Sequence, residues 1–585
     1  MDLDGYSDTA AILTAAAIGL ICVVLWQSIT SLVGWRASSK PFRCTLSTST
    51  VVRSPDPAAS PPNLLKLLAF DTFACDAIVL DSVWFFDKHL DAASLQRSLQ
   101  ELLRLYPVLA GRRAPGGIAL NNAGVPFSVL ERTGSARAVL NLPEEPQRGM
   151  FAECHGPKSV AAGRSPIMTV RLTHFEDGTS ALGVATSHAL LDGFSHCKLV
   201  QLWGIWHTTG CFPPGSPYTM DRAALSVSDS SVPDASVKSQ GHVRGKASRV
   251  GPFLRLLFRQ VGNQEQRVRL HLTAQELTEL KASAVASTGD ATLTTNEALS
   301  ARLLQHLAPL VLDKATLPSD VSVVSTINMR GKGGLPRRFL GNLFMASYEL
   351  PGVTTGKEMD DASALHIYKA MGDELRQADG EAAAASWRGQ AALLEDNVAW
   401  LPASDPGLKM PQFLSNNQSS FVQAHVTFGN DIRCIGYRPW AAGDVVQIVP
   451  SIEPRACTGT DQRHALARQG SLLKSLVLEE DLARPLFDSL DTQGVGLLSK
   501  DQVAAWLRTD RESTDWSEVE VDALIATMDT NSDGYVSYSE LSVALHAASL
   551  SGGVDIYANR LGSAISQQGR KHIMSAEFKA ALLAR

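Results

Sequence analysis

Several absences narrow what this 585-residue chain can be. Its 8 cysteines (Cys22, Cys44, Cys75, Cys154, Cys197, Cys211, Cys434 and Cys457) include no Cys-x-x-Cys pair. Neither a zinc site nor a disulfide framework is therefore indicated, and a reducing compartment fits best. A basic stripe is also missing and the formal net charge is -6, so nucleic acid is not an expected partner. No Ser or Cys sits in a nucleophile motif such as Gly-x-Ser-x-Gly, so no covalent enzyme intermediate is implied. With 45% hydrophobic and 19% charged residues, a chain of this length can bury several cores, and two or more domains are expected.

Charge is absent from one more place. Residues 9–35 carry no charged side chain and are dominated by Ala, Ile, Leu, Val and Gly. Such a run can cross a bilayer core of about 30 Å as a helix. A cleaved secretory signal is the competing reading, and a plastid transit role stays open. Asp2, Asp4 and Asp8 stand where a signal has its positive region, and the apolar run is long, so a single-pass transmembrane anchor is the expectation. Arg36, Lys40, Arg43 and Arg53 follow the span and place everything downstream in the cytosol, with the endoplasmic reticulum as the expected membrane. Residues 36–63 then form a linker, Ser/Thr/Pro-rich from Cys44 onward and expected to resist helix or sheet.

The most informative feature that is present is Ser187-His188-Ala189-Leu190-Leu191-Asp192-Gly193, directly after the β-prone run Ala181-Leu182-Gly183-Val184-Ala185-Thr186. An imidazole at His188 can take a proton from a hydroxyl or amine as that atom attacks an activated carbonyl, and Asp192 is a candidate supporting carboxylate. The chemistry suggested is acyl transfer. Other segments accompany it in order: Phe70-Asp71, Val83-Trp84-Phe85-Phe86, Tyr106-Pro107-Val108-Leu109-Ala110-Gly111-Arg112, Ile327-Asn328-Met329-Arg330-Gly331, and Phe339-Leu340-Gly341-Asn342-Leu343-Phe344. Together they resemble the BAHD acyltransferase superfamily over roughly residues 60–480. The late "DFGWG" element of that family has its best counterpart in Thr427-Phe428-Gly429-Asn430-Asp431, where only Phe428 and Gly429 match.

The resemblance implies two chloramphenicol-acetyltransferase-like mixed α/β halves, expected at 64–212 and 251–480 and joined by a low-order crossover at 213–250. It also implies an acyl-CoA donor, His188 as general base, and Asp192 paired with Arg330 as a brace beneath it. Gly193 would permit close backbone approach. From hydropathy alone, strands are expected near residues 167–172, 321–324 and 445–449, and helices near 95–105 and 296–307. Phe70-Asp71 and Val83 to Phe86 are read as opening strands. His196 reads as a helix-face residue.

The C-terminal stretch, 481–585, reads as a separate all-α EF-hand domain. Asp529-Thr530-Asn531-Ser532-Asp533-Gly534-Tyr535-Val536-Ser537-Tyr538-Ser539-Glu540 fills the twelve-position loop with oxygen ligands at Asp529, Asn531, Asp533, the Tyr535 carbonyl and Glu540. Calcium (Ca2+) is the expected ion. An upstream loop from Asp491 to Gln502 keeps Gly496 and Leu498 but has Val495 and Gln502 in place of two ligands, which suits structural pairing with weak or no binding. A third echo at 566–577 is either a dead hand or a capping helix pair. The function expected is membrane-tethered transfer of an acyl group from coenzyme A to a hydroxyl or amine of an apolar acceptor, with a calcium-responsive tail. The alternatives are a carrier-protein-dependent condensation or wax-ester-type enzyme, disfavoured by Ser187 where such enzymes have a second histidine, and a catalytically silent calcium-dependent adaptor.

Overall fold

The computed structural model describes residues 44–55, 64–73, 78–140, 151–153, 155, 157–212, 217–225, 242–246, 267–308, 322–349, 361–376, 381–395, 398–402, 412–419, 426–429, 431–439, 445–452, 487, 490–491, 496–509, 525, 528, 535–537, 541, 553–559 and 576–583. In chain order the strands of its two large sheets are β1 (Cys44–Val52), β2 (Val79–Phe86), β3 (Val125–Arg132), β4 (Met168–Phe175), β5 (Ser180–Ser187), β6 (Arg267–Leu272), β7 (Ser322–Asn328), β8 (Phe344–Glu349), β9 (Gln412–Asn417), β10 (Cys434–Arg438), β11 (Val445–Pro450) and, after a pair of short strands β12 (Leu497–Ser499) and β13 (Tyr535–Ser537), β14 (Val554–Asn559).

The first sheet runs β1-β3-β4-β5-β2-β10 and the second β6-β14-β11-β9-β7-β8, each six-stranded and mixed. β3 and β4 are parallel in the first, and β9 is parallel to both β7 and β11 in the second. Mixed sheets with parallel pairs need helices over their faces, and the sequence supplies them. Helix α1 (Ala92–Leu105) starts at Asp91, whose carboxylate accepts from Ser94 N at 2.7 Å, and buries Leu95, Leu99, Leu102 and Leu103. Each such leucine contributes about 1.5–3 kcal/mol by leaving water. Helix α2 (Gly193–Thr209) is buried on every face from Ser195 to Gly204, its polar Ser195, His196, Lys198 and Gln201 included. On the second sheet, α3 (Ala274–Thr288) and α4 (Thr295–His306) each begin with a reciprocal capping box, Thr273 with Glu276 and Thr294 with Glu297. They pack with Leu272, Phe413, Ile448 and Ile556 into one core.

The mixed α/β class and the expected helices and strands agree with the sequence reading, but several assignments are corrected. Residues 44–52 of the linker are a strand, paired with β3 from Cys44 opposite Arg132 to Val52 opposite Val125. Its five threonines and valines favour a pleated surface, and an edge position tolerates its polar residues. Phe70-Asp71 lies in a short helix, Ala69–Phe73, because Asp71 Oδ2 takes the Leu68 N–H at 3.0 Å and closes a turn. The crossover contains buried Tyr218, Met220 and Arg222 and a strand, His242–Lys246, antiparallel to Val398–Pro402. β10 returns from the second half of the chain to pair with β2.

The largest correction concerns 481–585. β14 lies between β6 and β11, antiparallel to both, and helix α5 (Ala576–Leu583) buries Phe578 and Leu582 in the second sheet's core. These residues are therefore part of the acyltransferase-like half. Of the third echo at 566–577 only its last two residues, which open that helix, are among the described residues. The EF-hand stretch is an insert within the β11–β14 hairpin, whose root closes with Ser451 N donating to Gly553 O at 3.0 Å. Gly553 has φ +80°, a turn conformation that glycine alone adopts cheaply. Among the described residues no helix is long and apolar enough to cross a membrane, and the 9–35 segment lies outside them.

Candidate active site

His188 follows β5 directly, and its backbone N–H donates to Ile78 O at 3.1 Å, so the imidazole is presented where the first sheet meets the second. Four residues on, Asp192 is the N-cap of α2 and accepts from Ser195 N at 2.8 Å. Gly193 is the first residue of that helix. The same carboxylate takes both Arg330 Nη1 at 2.9 Å and Nη2 at 3.1 Å, and the Leu343 N–H at 3.0 Å. Arg330 is then fully engaged: Nε donates to Phe339 O, Nη1 to Asn328 Oδ1 and Nη2 to Gly341 O, all within 2.8–2.9 Å. Phe194 lies under its guanidinium, 4.6 Å from the ring centroid. The pair is a bidentate, buried brace that locks the 328–343 strap of the second half onto the start of α2.

Asn342, on that strap, reaches His188. Its Oδ1 is 3.1 Å from His188 Nδ1, while Nδ2 donates to the His188 carbonyl at 2.8 Å and to Asp71 Oδ1 at 2.9 Å. Asp71 is in turn held by Arg222, Nε to Oδ2 at 3.0 Å and Nη2 to Oδ1 at 3.2 Å. Arg222 also donates to Leu190 O and Met220 O, both at 2.8 Å. Sequence reasoning missed the roles of Asn342, Asp71 and Arg222. The only signal for Asp71 was a carboxylate in the apolar run 64–73, and for Arg222 there was none, since its partner is 151 residues away.

Burial pushes the His188 imidazole below its ordinary range, opposed by hydrogen bonding at its own backbone, by Asp192, by Asn342 and by Asp71. A neutral imidazole at physiological pH is the form a general base requires. His196 is fully buried on α2 with Nδ1 2.9 Å from Thr186 Oγ1, and burial, followed by His188, pushes it down to about 3. It is a packed interior residue beside Trp84. Cys197 is no nucleophile, because burial pushes its thiol up to about 12. Phe344 flanks His188 at 5.9 Å between ring centroids and is backed by Phe70, which also meets Trp387.

Thr427, Phe428 and Gly429 of the divergent late segment dock on α2 and β2. Phe428 packs edge-on against Trp203 at 5.0 Å and Phe86 at 5.8 Å, and Gly204 of α2 allows the Thr427 carbonyl to approach where a Cβ would collide at 2.2 Å. Thr427 Oγ1 donates within its own turn to Gly429 O and Ile432 O. Of the two matching positions, Phe428 supplies the ring contacts and Gly429 the carbonyl that closes the turn.

A profile of the transferase family matches residues 42–455, most of the chain. The chain belongs to the BAHD acyltransferases. A second profile, an EF-hand domain pair, matches residues 480–542, the stretch inserted in the β11–β14 hairpin. Among curated proteins, the BAHD chain is similar to rosmarinate synthase of Plectranthus scutellarioides, 30% identical over 146 residues, which is 24% of this chain and a third (33%) of that protein's length. Among solved structures it resembles vinorine synthase, with a TM-score of 0.51 and 14% identity over 70% of this chain and 92% of that one. At that identity the likeness establishes the shared fold.

In the inserted pair, β12 and β13 join the two loops, Leu498 opposite Val536. The first loop closes on protein atoms: Asp491 Oδ2 accepts from Gly496 N at 2.6 Å, and Gln502, at the twelfth position, accepts from Ser499 N and donates to Leu490 O, both at 2.8 Å. Asp529, Asn531, Asp533 and Glu540 lie outside the described residues, and Tyr535 begins β13 with its side chain exposed. Among the described residues no cluster of His, Cys, Asp or Glu could hold a metal.

Proposed function

We propose that this protein transfers an acyl group from coenzyme A to a hydroxyl, or an amine, of an apolar acceptor, with His188 as general base. What carries the reading is a buried, neutral imidazole whose Nδ1 faces the Asn342 carbonyl oxygen, at the seam of two sheets in a BAHD chain. With the ring proton on Nδ1, Nε2 takes the acceptor's O–H proton as the oxygen attacks the thioester carbonyl carbon. The tetrahedral oxyanion collapses, the C–S bond breaks, and the coenzyme A thiolate takes the proton back from the imidazolium. Asp192 and Arg330 brace the loop without touching the proton. Phe344, Phe70 and Trp387 supply an apolar, aromatic flank suited to an apolar acceptor. The test is to offer the full chain, in detergent, acyl-CoAs, carrier-loaded acyl donors and long-chain and aromatic alcohols in parallel. Transfer from acyl-CoA alone is expected; use of carrier-loaded donors only, or silence with every donor, would refute the reading.

Two further properties extend it. Residues 9–35 tether the enzyme to a membrane, the endoplasmic reticulum in this reading, with its catalytic and calcium-binding parts in the cytosol; the uncharged span and the basic residues after it support this. The insert binds calcium at its second loop. The donor set there, four side chains and the Tyr535 carbonyl, is all oxygen and suits calcium, whereas the first loop is already closed by Gln502. Calcium alters acyl transfer through the hairpin root, because Val449 and Ile452, beside it, pack into the first half's core, which also holds Leu190 and Leu191 of the loop after His188.

A further inference from the structure

Asn342 sits between three groups, and two of them can only accept. The Asp71 carboxylate, paired with Arg222, and the His188 carbonyl both take hydrogens from Asn342 Nδ2. Both amide hydrogens are thereby used, and the amide oxygen has one direction left, toward His188 Nδ1. A flipped amide would set its oxygen against two acceptors and its NH2 group against the ring nitrogen. Asp71 itself cannot turn, since Oδ2 is held by Leu68 N and Arg222 Nε and Oδ1 by Arg222 Nη2 and Asn342. All four residues are buried.

We infer that Asp71, fixed by Arg222, is a positioning residue that sets the amide orientation of Asn342 and through it the Nδ1–H tautomer of His188, leaving the basic lone pair on Nε2. An acceptor oxygen facing Nδ1 requires a hydrogen there, and a neutral imidazole has only one. The crossover residue Arg222 thus reaches the reactive imidazole through three successive hydrogen-bonded contacts without touching it. This assignment rests on the general-base reading only for its catalytic consequence; the tautomer stands apart from it.

Two measurements test it. In 15N-histidine-labelled full-length protein above pH 7.5, with His188 identified by its loss in His188→Gln, the ring is expected to be protonated on Nδ1, with Nε2 showing the shift of an unprotonated nitrogen. Protonation on Nε2 overturns the assignment outright. Second, Asp71→Asn lets the residue at 71 present an NH2 group to Asn342 while its oxygen stays with Arg222, so the amide of Asn342 flips and His188 carries its hydrogen on Nε2. A fall in kcat of roughly 10²-fold with little change in KM for either substrate is expected. The 15N spectrum of the folded Asp71→Asn variant is expected to lose the Nδ1-protonated signature of His188 that the wild type shows. A merely structural Asp71–Arg222 pair would not move the tautomer, so an unchanged Nδ1–H signature in a folded Asp71→Asn variant counts against the inference. If the Nδ1–H tautomer is found but His188→Gln turns over normally, the lock stands and the general-base reading falls. An Nε2–H tautomer with an inactive His188→Gln gives the reverse.

Discussion

Asp192→Asn isolates the brace from the base. The change is nearly isosteric and leaves a good helix N-cap, since Asn and Asp are about equivalent there, so loss of capping is not at issue. What disappears is the charge facing Arg330, whose side chain is 4% exposed beside a carboxylate 6% exposed. Asp192 Oδ2 accepts from Arg330 Nη1 and Leu343 N, and an amide nitrogen in its place opposes both donors. Breaking a buried ion pair by removing one partner costs about 3–5 kcal/mol, because the remaining charge stays in a low-dielectric site. For a domain of this size each kcal/mol moves the melting temperature by roughly 2–4 °C, so a drop on the order of 10 °C is expected. Differential scanning fluorimetry beside steady-state turnover checks it, and both stability and activity should fall. Adding Arg330→Gln should return part of the lost stability, because the stranded charge is gone. A single Asp192→Asn variant that melts within a degree of the wild type would refute the brace and reduce Asp192 to a cap.

Other outcomes follow from the same geometry. His188→Ala should lower kcat by roughly 10²-fold or more while leaving donor binding and the fold largely intact, since it removes proton abstraction and little packing; turnover assays with a binding isotherm for acyl-CoA check this. Burial depresses both His188 and His196, so the unfolded chain binds protons near pH 6.5 that the native protein does not. Their contribution is complete above that pH and is lost as pH falls below it, at about 1.4 kcal/mol per pH unit for His196, with His188 adding loss in the same direction, and urea midpoints between pH 7.5 and 5 should decline accordingly. Glu540→Gln should abolish calorimetric calcium binding, expected between about 10⁻⁷ and 10⁻⁵ M for a sensor-type loop, together with any calcium effect on turnover. Joining Ile452 to Gly553 by a short turn should preserve basal transfer and remove that effect, because Ser451 and Gly553 already close the hairpin without the insert; loss of basal transfer in a folded protein would refute the hairpin account.

Local chemistry was legible in the chain itself. A β-prone run ending in His188, an N-cap aspartate four residues later, an Asn-Met-Arg segment and a twelve-residue loop of oxygen ligands are short-range patterns, each set by the propensity and valence of adjacent side chains. Helices such as Ala92–Leu105 and Thr295–His306 are likewise decided by caps and apolar spacing within one segment. Long-range placement was not legible. Residues 44–52 look like a polar tether until β3 supplies a ladder for them, and residues 554–559 look like the tail of a calcium module until β6 and β11 are seen to flank them. The same holds for the imidazole's surroundings: Asp71, Arg222, His188 and Asn342 are spread over 272 positions and become one hydrogen-bonded chain only because two sheets and a crossover converge there. Sequence encodes which groups can donate or accept; tertiary burial decides which must find each other, since a carboxylate, a guanidinium and an amide taken out of water are stable only when their hydrogen bonds are made within the protein.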